Sequence, residues 1–111
     1  MNTSHIFQYY SPTPEKTKIY EKLRSAAKTY ADALIAKRLP DEDSDLALEI
    51  AYEDYVRVVN ELVPSDSPEY IQAIKYIDQA YDLAVDHKQA IVTNVQAASM
   101  FLNSAIALSP N

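Results

Sequence analysis

Residues 90–108 read AIVTNVQAASMFLNSAIAL, from Ala90 to Leu108, without a charged residue, a glycine or a proline. Ile91, Val92, Val95, Ala98, Leu102, Ala105 and Ile106 recur at the three-and-four spacing that lines one side of a helix. Valine, isoleucine and phenylalanine would also suit a strand. The alanines and the nineteen-residue length decide for a helix. A helix this apolar has to be covered, either by the rest of the chain or by further copies of it.

Working back from that segment, the same register continues upstream through Ile74, Ile77, Tyr81 and Ala84 without a phase slip. Two readings stay open. One is a single helix of about forty residues, roughly 60 Å long at 1.5 Å per residue. The other is two helices with a kink or break near His87, and the balance leans to the break. Ser67-Pro68-Glu69 marks a helix start: a cap, a proline in the first turn and an acid behind it. A second helix is expected from the acidic DEDSD run, Asp41 to Asp45, to about Leu62. Leu46, Ala47, Ile50, Ala51, Tyr55, Val58, Val59 and Leu62 would face inward. A first helix should run from about Pro14 to Arg38, capped by Thr13, with Ile19, Tyr20, Leu23, Ala27, Tyr30, Ala31 and Leu34 inward. Residues 1–13 form an aromatic-rich N-terminal arm, since Pro12 and Pro14 stop a helix there. The expected fold is all-α: a single domain over residues 1–111, an antiparallel bundle of three to four helices, the last of them long or kinked near His87.

With 111 residues the chain can build one modest core. It has no cysteine, which excludes disulfides and thiolate chemistry and is compatible with a reducing cytoplasm. It has no glycine, which removes every phosphate loop that needs close backbone approach. No basic start followed by an apolar block suggests a signal peptide. Thr93, Asn94, Gln96 and Asn103 make the apolar segment too polar for a convincing membrane span. The net charge of −6 is unevenly spread. Residues 1–40 hold seven basic and three acidic side chains, residues 41–111 three basic and thirteen acidic. That balance argues against a long nucleic acid as partner, while leaving a small anionic ligand possible at the basic first helix. The basic helix could equally dock on the acidic half of a neighbouring copy.

Catalytic patterns are lacking. Glu49 and Glu53, and Asp78, Asp82 and Asp86, repeat every four residues, but no Glu-x-x-His accompanies them, so they read as solvated faces and no metal is expected. His5 and His87 have no nucleophile placed beside them by the sequence, so no enzyme activity and no cofactor are expected. Most of the nine tyrosines, including Tyr20, Tyr30, Tyr55 and Tyr81, sit at core spacing. Tyr9 and Tyr10 lie on the arm next to the most basic helix, a pairing of ring and cation that suits a nucleotide.

Three fragments carry a resemblance: Phe7-x-Tyr9-x-x-Pro12; Tyr20-x-x-Leu23-Arg24-x-x-Ala27-Lys28-x-x-Ala31; and Thr93-x-Val95-x-x-Ala98-x-Met100-x-x-Asn103-x-Ala105-Ile106-Ala107. Together they resemble the anti-CBASS sponges, small phage proteins that sequester the cyclic oligonucleotides bacteria use as alarm signals. Members of that family are usually shorter, so much of residues 41–89 looks like an addition. Gln96 and Leu108 replace a usual Glu and Arg of the closing helix. The resemblance implies a cytoplasmic, non-enzymatic homo-oligomer that binds a cyclic di- or trinucleotide at subunit boundaries. It implies that Tyr9 stacks on a base, that Arg24 contacts a phosphate and that Lys28 adds charge beside it. For Arg24 and Lys28 an ion pair is the competing reading. The competing function is an acidic helical protein–protein interaction module, a phage inhibitor or adaptor of a host protein.

Overall fold

The computed structural model describes residues 13–36, 42–83 and 88–108. They form four helices: α1 Pro14–Ala36, α2 Glu42–Leu62, α3 Pro68–Asp82 and α4 Lys88–Leu108. Among the described residues there is no strand. The capping chemistry works as the sequence suggests. The Lys16 amide donates to Thr13 Oγ1 at 3.2 Å, opening α1. The Tyr70 amide donates to Ser67 Oγ at 3.2 Å, opening α3 behind Pro68. The continuous-helix reading is set aside. Leu83 leaves helical geometry at φ −74°, ψ 143°, its amide bonding back to the Ala80 carbonyl, and the next helix starts at Lys88. His87 and the expected bend itself lie outside the described residues, as does Ala84.

Helices α3 and α4 form one tightly packed pair and α1 and α2 another, with α1 on α4 joining them. The Lys16 ammonium donates to the Ala107 carbonyl at 3.3 Å, which ties the start of α1 to the end of α4 and makes that pair antiparallel. The core is built on α4: Ile91, Val95, Ala98, Leu102, Ala105 and Ile106 are buried. Leu23, Ala27, Tyr30 and Leu34 meet them from α1. Helix α4 is long and apolar enough to cross a membrane. Its apolar side is nonetheless spent on this core, and Gln89, Thr93, Gln96, Asn103 and Ser104 occupy the exposed side.

One inward face differs from expectation. Leu46 and Ile50 are 56% and 50% exposed, and Ala47 is exposed too. The expected Ala51, Tyr55 and Val59 are buried, but Leu48 takes the inward place at the start of α2, and the line runs on to Val63 just past the helix end. The start of α2 is apolar on both sides, so periodicity there offers two stripes. The ring of Tyr55 and the side chain of Val59, both fully buried, fix the rotation and carry Leu48 inward. On α3, Ala73, Ile77 and Ala80 are buried, while Tyr81 is 38% exposed rather than internal.

The backbones of α2 and α3 stay apart along their seam. Tyrosines fill the gap. Tyr55, Tyr30, Tyr52 and Tyr81 form a row with ring centroids 5.6, 6.0 and 4.9 Å apart. The Tyr30 hydroxyl donates to the Ile77 carbonyl at 2.6 Å, so α1 reaches α3 through the middle of the bundle. At the far end of the seam the Tyr70 hydroxyl donates to Asn60 Oδ1.

Candidate functional site

Two concavities have opposite chemistry. The first lies on the α1–α4 seam. Tyr20, Leu23, Arg24 and Ala27 from α1, with Ser99 and Asn103 from α4, enclose about 290 Å³. It exists because both helices place small side chains where they cross: Ala27 and Ala98 are buried, leaving room above them. Leu23 and Ala27 make an apolar floor, half-buried Tyr20 and Ser99 the walls, and exposed Arg24 and Asn103 the rim. Among the described residues no hydrogen bond or ion pair engages the Arg24 guanidinium. A free guanidinium offers a planar fork of donors matched to a phosphate, and a serine hydroxyl and an asparagine amide add neutral donors.

The expected site residues fare differently. Arg24 reaches this cleft. Lys28, one turn further, does not line it; its ammonium pairs with Asp32 Oδ2 at 2.9 Å on the outer face of α1. Tyr9 lies outside the described residues. Ser99 was missed. The sequence shows a serine amid an alanine-rich apolar run, and only its place one residue beyond buried Ala98 puts it at the edge of the core stripe. Tyr55, on α2, is fully buried and does not line the cleft. Its hydroxyl is buried and has no hydrogen-bond partner of acceptable geometry. Burial pushes that phenol up to about 12, and the neighbouring Ser99 hydroxyl pulls the other way.

The second concavity is larger, about 430 Å³, and lies between α2 and α3. Glu49, Tyr52, Glu53, Asp78, Tyr81 and Asp82 line it, so every charge on its wall is negative. The Tyr52 hydroxyl donates to Asp78 Oδ1 at 2.6 Å, and its ring meets Tyr81 edge-on at 65°. That hydrogen bond, then burial, pushes the Tyr52 phenol up to about 12. Tyr30 lies behind it, its phenol held well above the ordinary range by burial and by the neighbouring Tyr52 and Asp78. A signal for this groove lay behind the four-residue spacing of the acids: Tyr52-Glu53 and Tyr81-Asp82 repeat the same aromatic–acid pair on facing helices. No group of acidic or histidine side chains among the described residues is arranged to hold a metal ion. A third hollow, between α1 and α2, is self-neutralised, because Arg57 pairs with Asp54 at 3.5 Å and Glu61 at 3.2 Å.

Size alone would favour the acidic groove; a phosphodiester, however, would be repelled there and attracted to Arg24. Compared with known protein families, curated proteins and solved structures, the chain matches none.

Proposed function

We propose that the protein is a non-catalytic binder that sequesters cyclic oligonucleotides in the cytoplasm, with the α1–α4 cleft as the seat of a phosphodiester. The observation that carries this reading is the unpaired Arg24 guanidinium at the rim of a cleft whose other polar groups, Ser99 and Asn103, can both donate to an anion. Two of these three, Arg24 and Asn103, belong to the fragments that resemble the anti-CBASS sponges. At about 290 Å³ the cleft is at the low end of small-ligand pockets, which start near 300 Å³. It holds one phosphate with its sugar. A whole cyclic dinucleotide needs further cover, which a second copy of the chain and the arm bearing Tyr9 would supply. Sequestration works by mass action: the free signal falls as binder accumulates, and no bond is made or broken.

The test is thermal melting against a panel of cyclic di- and trinucleotides. A ligand at one hundred times its dissociation constant adds about 2.7 kcal/mol of stability. One member of the panel should raise the melting temperature, and Arg24→Ala should abolish the rise without lowering the ligand-free value. A flat panel for the wild type refutes the reading.

The acidic groove favours the second reading, a module that covers a basic protein surface. Four carboxylates beside two tyrosine rings suit arginine or lysine side chains. That reading expects a flat nucleotide panel and a basic partner whose binding weakens steeply with salt.

A further inference from the structure

Six large apolar side chains among the described residues are exposed, and four of them stand on α2 and α3. Leu46 and Ile50 lie one turn apart on the outer side of α2, next to Glu49 and Glu53. Ile71 lies two turns before Asp78 on the same side of α3, and Tyr81 lines the acidic groove itself. The backbones of α2 and α3 do not close on one another, so these side chains border an open channel and not a packed seam. Its walls run antiparallel, since Tyr52 meets Asp78 while Tyr70 meets Asn60. Each wall repeats a carboxylate once per turn: Glu49 and Glu53 on one side, Asp78 and Asp82 on the other. Among the described residues none of these four carboxylates is paired with a cation. Facing carboxylates repel each other, and exposed leucine and isoleucine hold apolar surface in water. The isolated protein gains from neither.

We propose that the α2–α3 channel, with its apolar border, docks a basic amphipathic helix of another protein. Arginine or lysine side chains one turn apart enter between the two carboxylate rows and lie against the Tyr52 and Tyr81 rings. Apolar side chains in the adjoining row of the same helix cover Leu46 and Ile50. A helix advances about 6 Å in four residues, so its cations keep step with the carboxylates on each wall. The docking rests on the acidic groove taking a basic protein surface, and no residue of the Arg24 cleft takes part in it. Other occupants match less of this face. A polyamine would neutralise the carboxylates but leave Leu46, Ile50 and Ile71 in water. A second copy of the chain offers no described face that is both basic and apolar. The cations of α1 are interspersed with exposed Glu21 and Asp32, and no exposed large apolar side chain accompanies them. Exposed Met100 and Leu108 lie on α4, whose one basic residue, Lys88, stands at its start. Nucleic acid and anionic lipid would be repelled.

The test is calorimetric titration of the full chain with a synthetic peptide of about sixteen residues, long enough to form a helix, that carries arginines one turn apart and leucines in the adjoining row. A scrambled peptide of the same composition and spermine serve as comparison probes. The amphipathic peptide should bind one to one, weaken with salt, and bind about tenfold or more tighter than either comparison probe. Leu46→Ser/Ile50→Ser changes two side chains outside the core, so the fold should survive while affinity falls on the order of ten- to a hundredfold. Glu53→Gln/Asp82→Asn should weaken binding and flatten its salt dependence. Equal binding of the amphipathic and scrambled peptides, unchanged in Leu46→Ser/Ile50→Ser, overturns the docked helix and leaves the groove as a seat for basic surfaces in general. Spermine binding as tightly as the amphipathic peptide overturns it in favour of a polyamine. Self-association of the wild type by light scattering that Leu46→Ser/Ile50→Ser abolishes overturns it in favour of a second copy. No binding of any cationic probe overturns both the docked helix and the basic-surface reading.

Discussion

Tyr55 makes a prediction that needs no ligand. Its phenol is pushed up to about 12 in the folded protein by burial, against 10 in the unfolded chain. The folded state therefore holds the proton more tightly. Below about pH 10 both states are protonated and the full stabilisation is present. As pH rises from 10 towards 12 the unfolded chain releases its proton while the folded chain keeps it, so unfolding becomes progressively easier. Two units at 1.36 kcal/mol each put the loss from this one residue on the order of 2–3 kcal/mol. That is a large part of the 5–15 kcal/mol that holds a typical domain together. Tyr30, buried and raised in the same direction, adds to the slope. Denaturant unfolding at a series of pH values should show a stability that falls steeply above about pH 10, with the share of tyrosinate absorbance that belongs to the buried Tyr30 and Tyr55 appearing only as the protein unfolds. In Tyr55→Phe the same curve should start no lower at neutral pH, because no hydrogen bond is lost. It should then fall less steeply, by on the order of 2–3 kcal/mol at about pH 12. The wild type and the variant losing stability in parallel between about pH 10 and 12 would refute the account of Tyr55 as a buried, proton-retaining phenol.

Other expectations follow from the packing. Leu102→Ala empties a fully buried position where α4 meets the other helices and should cost about 2–5 kcal/mol in chemical denaturation. Ser67→Ala removes the acceptor at the start of α3 and should cost about 1 kcal/mol, read as a drop in melting temperature. Lys28→Ala breaks a solvent-exposed pair one turn along α1 and should cost no more than about 0.5 kcal/mol while leaving nucleotide affinity nearly unchanged, in contrast to Arg24→Ala. Ile50→Ser changes a side chain that points away from the core and should alter stability by less than about 0.5 kcal/mol.

The helices were legible in the sequence because their ends carry local chemistry. Thr13-Pro14 and Ser67-Pro68 cap and start α1 and α3 through bonds made within one turn. The core face of α4 was legible because its other side is polar, so only one rotation buries Ile91, Val95, Ala98 and Leu102. Where a helix is apolar on two sides, local reasoning loses its hold. Leu46 and Ile50 form as good a stripe as Leu48 and Ala51, and the choice between them is made by Tyr55 and Val59 against the rest of the core. The break after Asp82 was hidden for a related reason: no proline or glycine marks it, and the hydrophobic phase runs on past it. At the site, Arg24 was named only by the family resemblance, and its charge and spacing did not separate it from Lys28. Ser99 was not named, because it resembles ordinary core filling until α1 and α4 are folded together. For the acidic groove the repeated Tyr-acid pair was in view, but not that its two walls, 25 or more residues apart in the chain, would face each other.

The uneven spacing of the four helices bears on how the molecule comes apart. With α1 against α4 as a spine, the two hairpins resemble the boards of a book whose fore-edge, between α2 and α3, is latched by side-chain tips: Tyr52 on Asp78 and Tyr70 on Asn60. Springing those latches breaks two exposed hydrogen bonds and leaves α1 on α4 in place, whereas parting the spine exposes the whole of the α4 stripe. Amide protons on α4 should accordingly exchange with solvent last, and the fore-edge should breathe first. Whatever grips the acidic groove would press the boards together.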